Sequence, residues 1–129
     1  MAHAVASLGE VNYATRVKTA HHELIVDEGP ELGGKDAGPA PYDVLLSALG
    51  GCTAITLQMY AQRKEWPLKN VSVDLTFKRD GEDQIITRVL TLDGALDDTQ
   101  RARLADIAER TPVTLTLKRG LTITTTLAS

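Results

Sequence analysis

The sequence predicts an α+β fold with antiparallel sheets. Two stretches, VSVDLTF (71–77) and QIITRVLTL (84–92), alternate apolar with polar residues and flank KRDGED, whose Asp-Gly pair is a hairpin turn signal. Between the expected strands, PYDVLLSALGGCTAITLQMYA (41–61) repeats apolar residues mostly at three- and four-residue steps, the period of a helix. The resulting order is β-β-α-β-β-α-β, and hairpins in place of alternating βαβ units argue for antiparallel pairing.

The elements follow in chain order. EVNYATRVK (10–18) and HHELIVD (21–27) are β-rich around a short polar break and predict a first hairpin. EGPELGGKDAGPA (28–40) is dense in glycine and proline, so a long surface loop is expected there. Pro41 suits the first turn of the helix, Asp43 adds negative charge near the positive end of its dipole, and the helix is expected to run to about Lys64. Leu45, Ala48, Leu49, Cys52, Ile55 and Met59 mark its apolar face. Gly50-Gly51 interrupts that helix at a cost of about 1 kcal/mol per glycine relative to alanine. The pair therefore answers a need for close approach by another backbone, a second helix or a substrate.

After the second hairpin, Asp97 followed by Gln100 reads as a capping box for a second helix. Leu104, Ile107 and Ala108 form its apolar face, and Pro112 marks its end or a restart. LTITTTLA (121–128) is expected to be a last strand.

A chain of 129 residues, 43% hydrophobic and 24% charged, fits one globular domain spanning 1–129. Its aromatic content is confined to Tyr13, Tyr42, Tyr60, Trp66 and Phe77, so Leu, Val, Ile and Ala must make the core. The net charge of −3, with basic residues scattered among acidic ones, supplies no surface for nucleic acid. No signal-peptide pattern opens the chain and the longest apolar run is far short of about 20 residues, so a cytoplasmic protein without a membrane span is expected.

Cys52 is the sole cysteine. It lies on the apolar face of the helix, where a small core hydrophobe would also sit. The diglycine before it removes side chains where a ligand or second chain would need access to the sulfur. A nucleophilic cysteine must be a thiolate, and Cys52 is about three turns into the helix, too far for the dipole to help. A cation must then come from elsewhere, and Arg16, His21 and His22 in the first hairpin are the candidates. Adjacent histidines on a strand point to opposite faces, so at most one of them can face the site. Asp43 is half a revolution and roughly 13 Å along an ideal helix from Cys52. It is either an orienter of the activating cation or a first-turn acid stabilising the dipole. His3, His21, His22 and Cys52 have no metal-site spacing, and GGKDAG lacks the ending of a phosphate loop, so neither a metal nor a cofactor is expected.

DEGPELGGKDAGPAPYDVLLSALGGCTAITLQMYAQRKEWPLKNVSV follows a GG-D-GP-PY-LL-ALG-CTA-T-YA-RK-W-L pattern. It resembles the osmotically inducible protein C (OsmC) and organic hydroperoxide resistance (Ohr) family. The likeness continues through ITRVLTLDGALDDTQRARLADIAER and reaches back to the first strands. It implies an intertwined homodimer around two long central helices, with the active site at the subunit interface. In the family's peroxidases a first cysteine attacks the peroxide oxygen and becomes a sulfenic acid, and a second condenses with it to a disulfide.

By this resemblance Cys52 matches the first cysteine, Asp43 falls where the subgroup usually has a glutamate, and Arg16 is the nearest match to the activating arginine. The departure is at ERTPVTLTL, where the family usually reads ERCPVH: Thr111 replaces the second cysteine and Thr114 the histidine. Two readings follow. In one, Cys52 is a one-cysteine peroxidase centre served by an external thiol reductant and acting on a small apolar hydroperoxide. In the other, the chain is a non-catalytic or remnant member that binds an apolar, lipid-like molecule at the dimer interface, with Cys52 structural. The paired loss of the histidine argues against Thr111 being an introduced replacement.

Overall fold

A computed structural model describes residues 2–128 of the chain. The order is β1 (Val5–Ser7), β2 (Thr15–Thr19), β3 (His22–Val26), a single 3-10 turn (Pro30–Leu32), α1 (Pro41–Lys64), β4 (Leu68–Asp80), β5 (Asp83–Gly94), α2 (Asp98–Ala108) and α3 (Pro112–Arg119). The fold is α+β: β1, β2 and β3 form one antiparallel sheet, β4 and β5 a second, with three α-helices among the described residues. The chain divides into two compact units between Ser47 and Ala48, within α1.

In the first unit the expected hairpin forms, but β2 starts at Thr15, because Asn12 takes a left-handed backbone (φ 39°) that no strand accommodates. His21 sits in the turn and only His22 enters β3. β1, which the sequence analysis did not anticipate, pairs through Ala6 with Val17.

The glycine-rich loop is wrapped around Asp27, whose side chain is 2% exposed. That carboxylate accepts the backbone N–H groups of Glu28 (2.8 Å), Lys35 (3.2 Å) and Ala37 (3.1 Å). The loop packs so closely that a Cβ on Gly34 would lie 1.9 Å from the Glu28 carbonyl oxygen, and one on Gly38 would lie 2.0 Å from that of Ile25. These glycines answer a steric demand of the loop itself.

α1 has the expected limits, Pro41 to Lys64. Its end is a Schellman motif: the Trp66 N–H reaches the Ala61 carbonyl (2.8 Å) and the Glu65 N–H that of Gln62 (3.1 Å), with Glu65 left-handed at φ 59°. The buried row is Leu49, Thr53, Leu57 and Ala61, at four-residue steps. This corrects the predicted apolar face, of which Ile55 and Met59 are 58% and 56% exposed. Thr53 belongs to the buried row because its hydroxyl bonds the Leu49 carbonyl at 2.7 Å, so the polar atom enters the core satisfied. Gly50 receives a side chain, Leu75 of β4, whose Cδ1 would be 2.8 Å from an added Cβ, whereas nothing comes within 4 Å of one on Gly51.

By length and mean hydropathy α1 could cross a membrane, although it contains no long uninterrupted apolar run. Ser, Thr and Gly break such a run while lowering the average little. The buried row gives α1 a core role: Leu57, Ala61, Leu68, Leu104 and Ala108 form the core, with Trp66, Val71, Leu90 and Ile107 packed on it.

β4 and β5 pair antiparallel from Leu68 with Gly94 to Asp80 with Asp83, with a one-residue register shift between Leu68 and Asn70, and Gly81-Glu82 close the hairpin. The Asp97 capping box forms with both of its bonds, and Pro112 opens a separate third helix where two had been predicted. Residues 121–128 correct the expectation of a last strand: the segment joins neither sheet, and Leu121, Ile123 and Leu127 are 66%, 85% and 90% exposed. Alternation supplies a strand pattern, but a strand also needs a neighbour to hydrogen-bond.

Candidate functional site

Cys52 is a free, half-buried thiol in the interior of α1, with its sulfur 3.9 Å from the Thr56 hydroxyl one turn further on. The next residue, Thr53, is fully buried and leads into a polar cluster centred on Arg88 of β5. Arg88 Nη1 donates to Thr53 Oγ1 (3.0 Å) and to Thr114 Oγ1 (2.9 Å), and Nη2 to the Ala108 carbonyl (2.9 Å) and Glu109 Oε2 (3.1 Å). Thr114 in turn lies 2.6 Å from the hydroxyl of Thr111, which is wholly buried. One guanidinium thereby ties α1, β5, the end of α2 and the start of α3, with the last carbonyl of α2 among its acceptors.

Arg88 was not among the site residues expected from the sequence, although the signal was present. It shares strand parity with Ile86, Leu90 and Leu92, so it is a charge on the apolar face of β5. On the solvent side of the cluster Lys118 Nζ binds Glu109 Oε1 at 3.1 Å. That bond chiefly, with Arg88 in support, holds the Glu109 carboxyl below its ordinary range against the opposing effect of burial.

Arg16 and Asp43 lie in the first unit and Cys52 in the second. Arg16, on β2, forms an ion pair with Glu23 of β3 at 3.3 Å and is two-thirds exposed. Asp43 is exposed in the first turn of α1, where its carbonyl accepts the Ser47 hydroxyl at 2.7 Å. His3, His21 and His22 are exposed. Among the described residues no three His, Cys, Asp or Glu side chains gather as metal ligands.

The family described as OsmC-like protein matches residues 33–126, a span that contains Cys52, Arg88, Thr111 and Thr114. The chain belongs to the OsmC-like family. Solved structures agree in fold. An OsmC-like protein from Mycoplasma pneumoniae superposes with a TM-score of 0.79 at 20% identity, covering 92% of this chain and 87% of the other. An organic hydroperoxide resistance protein OsmC from Legionella pneumophila gives 0.67 at 20% identity, covering 92% and 89%. The organic hydroperoxide resistance protein OhrB of Bacillus subtilis gives 0.61 at 17% identity, covering 90% of each chain. No curated protein sequence matches the chain. The Legionella and Bacillus neighbours are themselves described as organic hydroperoxide resistance proteins.

Within this OsmC-like chain, Thr111 and Thr114, which the sequence resemblance sets at the family's cysteine and histidine positions, are hydrogen-bonded to each other, and Thr114 also to Arg88. Hydroxyls fill both places with every polar atom partnered: among the described residues no buried side-chain nitrogen or oxygen lacks a hydrogen bond.

Proposed function

We propose that this OsmC-like protein is a one-cysteine thiol peroxidase that reduces a small apolar organic hydroperoxide with Cys52. The observation that carries the reading is the placement of Cys52 as a free, half-buried thiol in the interior of α1, next in sequence to Thr53 of the Arg88 cluster. The Cys52 thiolate attacks the terminal peroxide oxygen, the O–O bond breaks, and the alkoxide takes a proton and leaves as an alcohol, with Cys52 as sulfenic acid. A threonine hydroxyl cannot condense with that acid to a disulfide. An external thiol attacks the Cys52 sulfur, releasing water and forming a mixed disulfide. A second thiol frees Cys52 and departs as the oxidised disulfide.

In this reading Arg16 is the activating cation, from the same chain or a second copy, and Asp43 orients it. The exposed Ile55 and Met59 support a homodimer in which α1 faces its counterpart. A reducing cytoplasm supplies the thiol.

Reduced protein treated with cumene hydroperoxide should gain one oxygen by intact mass, then convert to a mixed disulfide when a small thiol follows. Arg16→Ala should slow the first step by roughly tenfold, equivalent to about 1.4 kcal/mol of transition-state stabilisation, and Asp43→Ala by less. An unchanged mass with the thiol still titrating as free would overturn the proposal.

The closed threonine–arginine cluster favours one other reading, a non-catalytic member that binds an apolar small molecule with Cys52 as packing. Cys52→Ser would then leave ligand affinity nearly intact.

A further inference from the structure

A cleft of about 420 Å³ opens in the second unit, within the size range of small-molecule sites. One wall is the face of β5 carrying Gln84, Ile86 and Arg88, residues two apart that point to the same side. Leu49 of α1 and Leu117 of α3 complete an apolar floor with Ile86.

Arg88, Glu109, Thr114 and Lys118 form one hydrogen-bonded group in its lining. Arg88 and Lys118 share a single acid, Glu109, so the cleft carries one positive charge in surplus. Arg88 cannot turn away, because its side chain is 11% exposed and fixed by Thr53, Thr114 and the Ala108 carbonyl. Lys118 is 55% exposed on a flexible stem. It can swing from Glu109 to an incoming anion while Arg88 keeps Glu109 neutralised. An apolar floor with a surplus cation at its rim complements a molecule with an apolar body and one negative head.

The geometry points to this cleft as a binding site for a small amphiphilic carboxylate, its apolar body on Leu49, Ile86 and Leu117 and its carboxylate at Lys118. The inference does not rest on the peroxidase reading, and binding is measured on full-length Cys52→Ser protein so that failure of one leaves the other standing.

Isotope-labelled protein is titrated with octanoate, with neutral 1-octanol and with octylammonium, following backbone amide shifts. Octanoate should saturate shifts at Gln84, Ile86, Leu117 and Lys118, while 1-octanol binds more weakly and octylammonium most weakly. Lys118→Met should weaken octanoate by roughly fivefold, the upper end for an exposed ion pair, and leave 1-octanol unchanged. Glu109→Gln, which removes the competing acid, should tighten octanoate. No saturable shifts with octanoate, shifts confined to other residues, equal affinity for octanoate and 1-octanol, or indifference to both substitutions would each overturn the assignment.

Discussion

Arg88 Nη1 lies 2.9 Å from the hydroxyl of Thr114, and the same nitrogen reaches Thr53 next to Cys52. The segment after α2 is thus hydrogen-bonded to α1 through β5. The helix that carries the thiol is held in place by a cation that does not itself need to react.

Removing that cation should be costly. Arg88→Ala removes the guanidinium donor shared by the Thr53 and Thr114 hydroxyls and the Ala108 carbonyl in the interior, and the expected loss is about 2–4 kcal/mol. The ion pair with Glu109 adds little, because Glu109 is 61% exposed. Urea unfolding should therefore show Arg88→Ala strongly destabilised and Glu109→Gln nearly as stable as the parent. A similar loss in both would place the energy in the ion pair.

Thr111→Cys should change the chemistry of the oxidised state. It places a thiol where the sequence resemblance sets the family's second cysteine, at the start of α3. Peroxide treatment should then yield a protein that has lost a pair of hydrogens to a disulfide with Cys52, where the parent gains an oxygen. A sulfenic acid that persists beside an unreacted Cys at position 111 would show that the two positions do not approach.

Acid should loosen the loop around Asp27. The Ala37 N–H, with help from Glu28 and Lys35, holds its carboxyl below the ordinary 3.8, against the opposing effect of burial. A depressed carboxylate contributes stability that is fully present above its unfolded value and lost as pH falls through its folded value. The window is therefore the acid side of about pH 4. Amide exchange at Lys35 and Ala37 should speed up there relative to the rest of the chain, after correction for intrinsic rates. Asp27→Asn should remove that pH dependence and loosen the loop at neutral pH, since one acceptor oxygen and an amide donor cannot serve three N–H groups.

Glu65→Gly should stabilise the protein. Glu65 takes φ 59° at the Schellman position after α1, where a Cβ costs about 1 kcal/mol or more and glycine nothing. Allowing for the greater freedom of unfolded glycine, the net gain is about 0.5 kcal/mol, read as a rise in thermal midpoint of roughly 2 °C. A fall in the midpoint would mean that the Glu65 side chain contributes more than its backbone costs.

Local chemistry made much of this molecule readable in its sequence. Pro41 and the apolar period bound α1 at the observed residues, and Asp97 with Gln100 marked the start of α2 through a cap formed within one turn. The β4–β5 hairpin was legible because alternation and its turn are near neighbours in sequence. What depended on distant partners was not. Which face of α1 is buried was decided by where β4, β5 and α2 pack, so Thr53 took a core position that hydrophobicity alone assigns elsewhere. The tail 121–128 has the pattern of a strand and no sheet to join, because a ladder requires a second chain segment that pattern cannot supply. Thr111 and Thr114 stood out in sequence only as departures from a family. The fold shows them as members of a satisfied hydroxyl cluster, because Arg88, more than twenty residues away, extends a guanidinium whose donors match their oxygens.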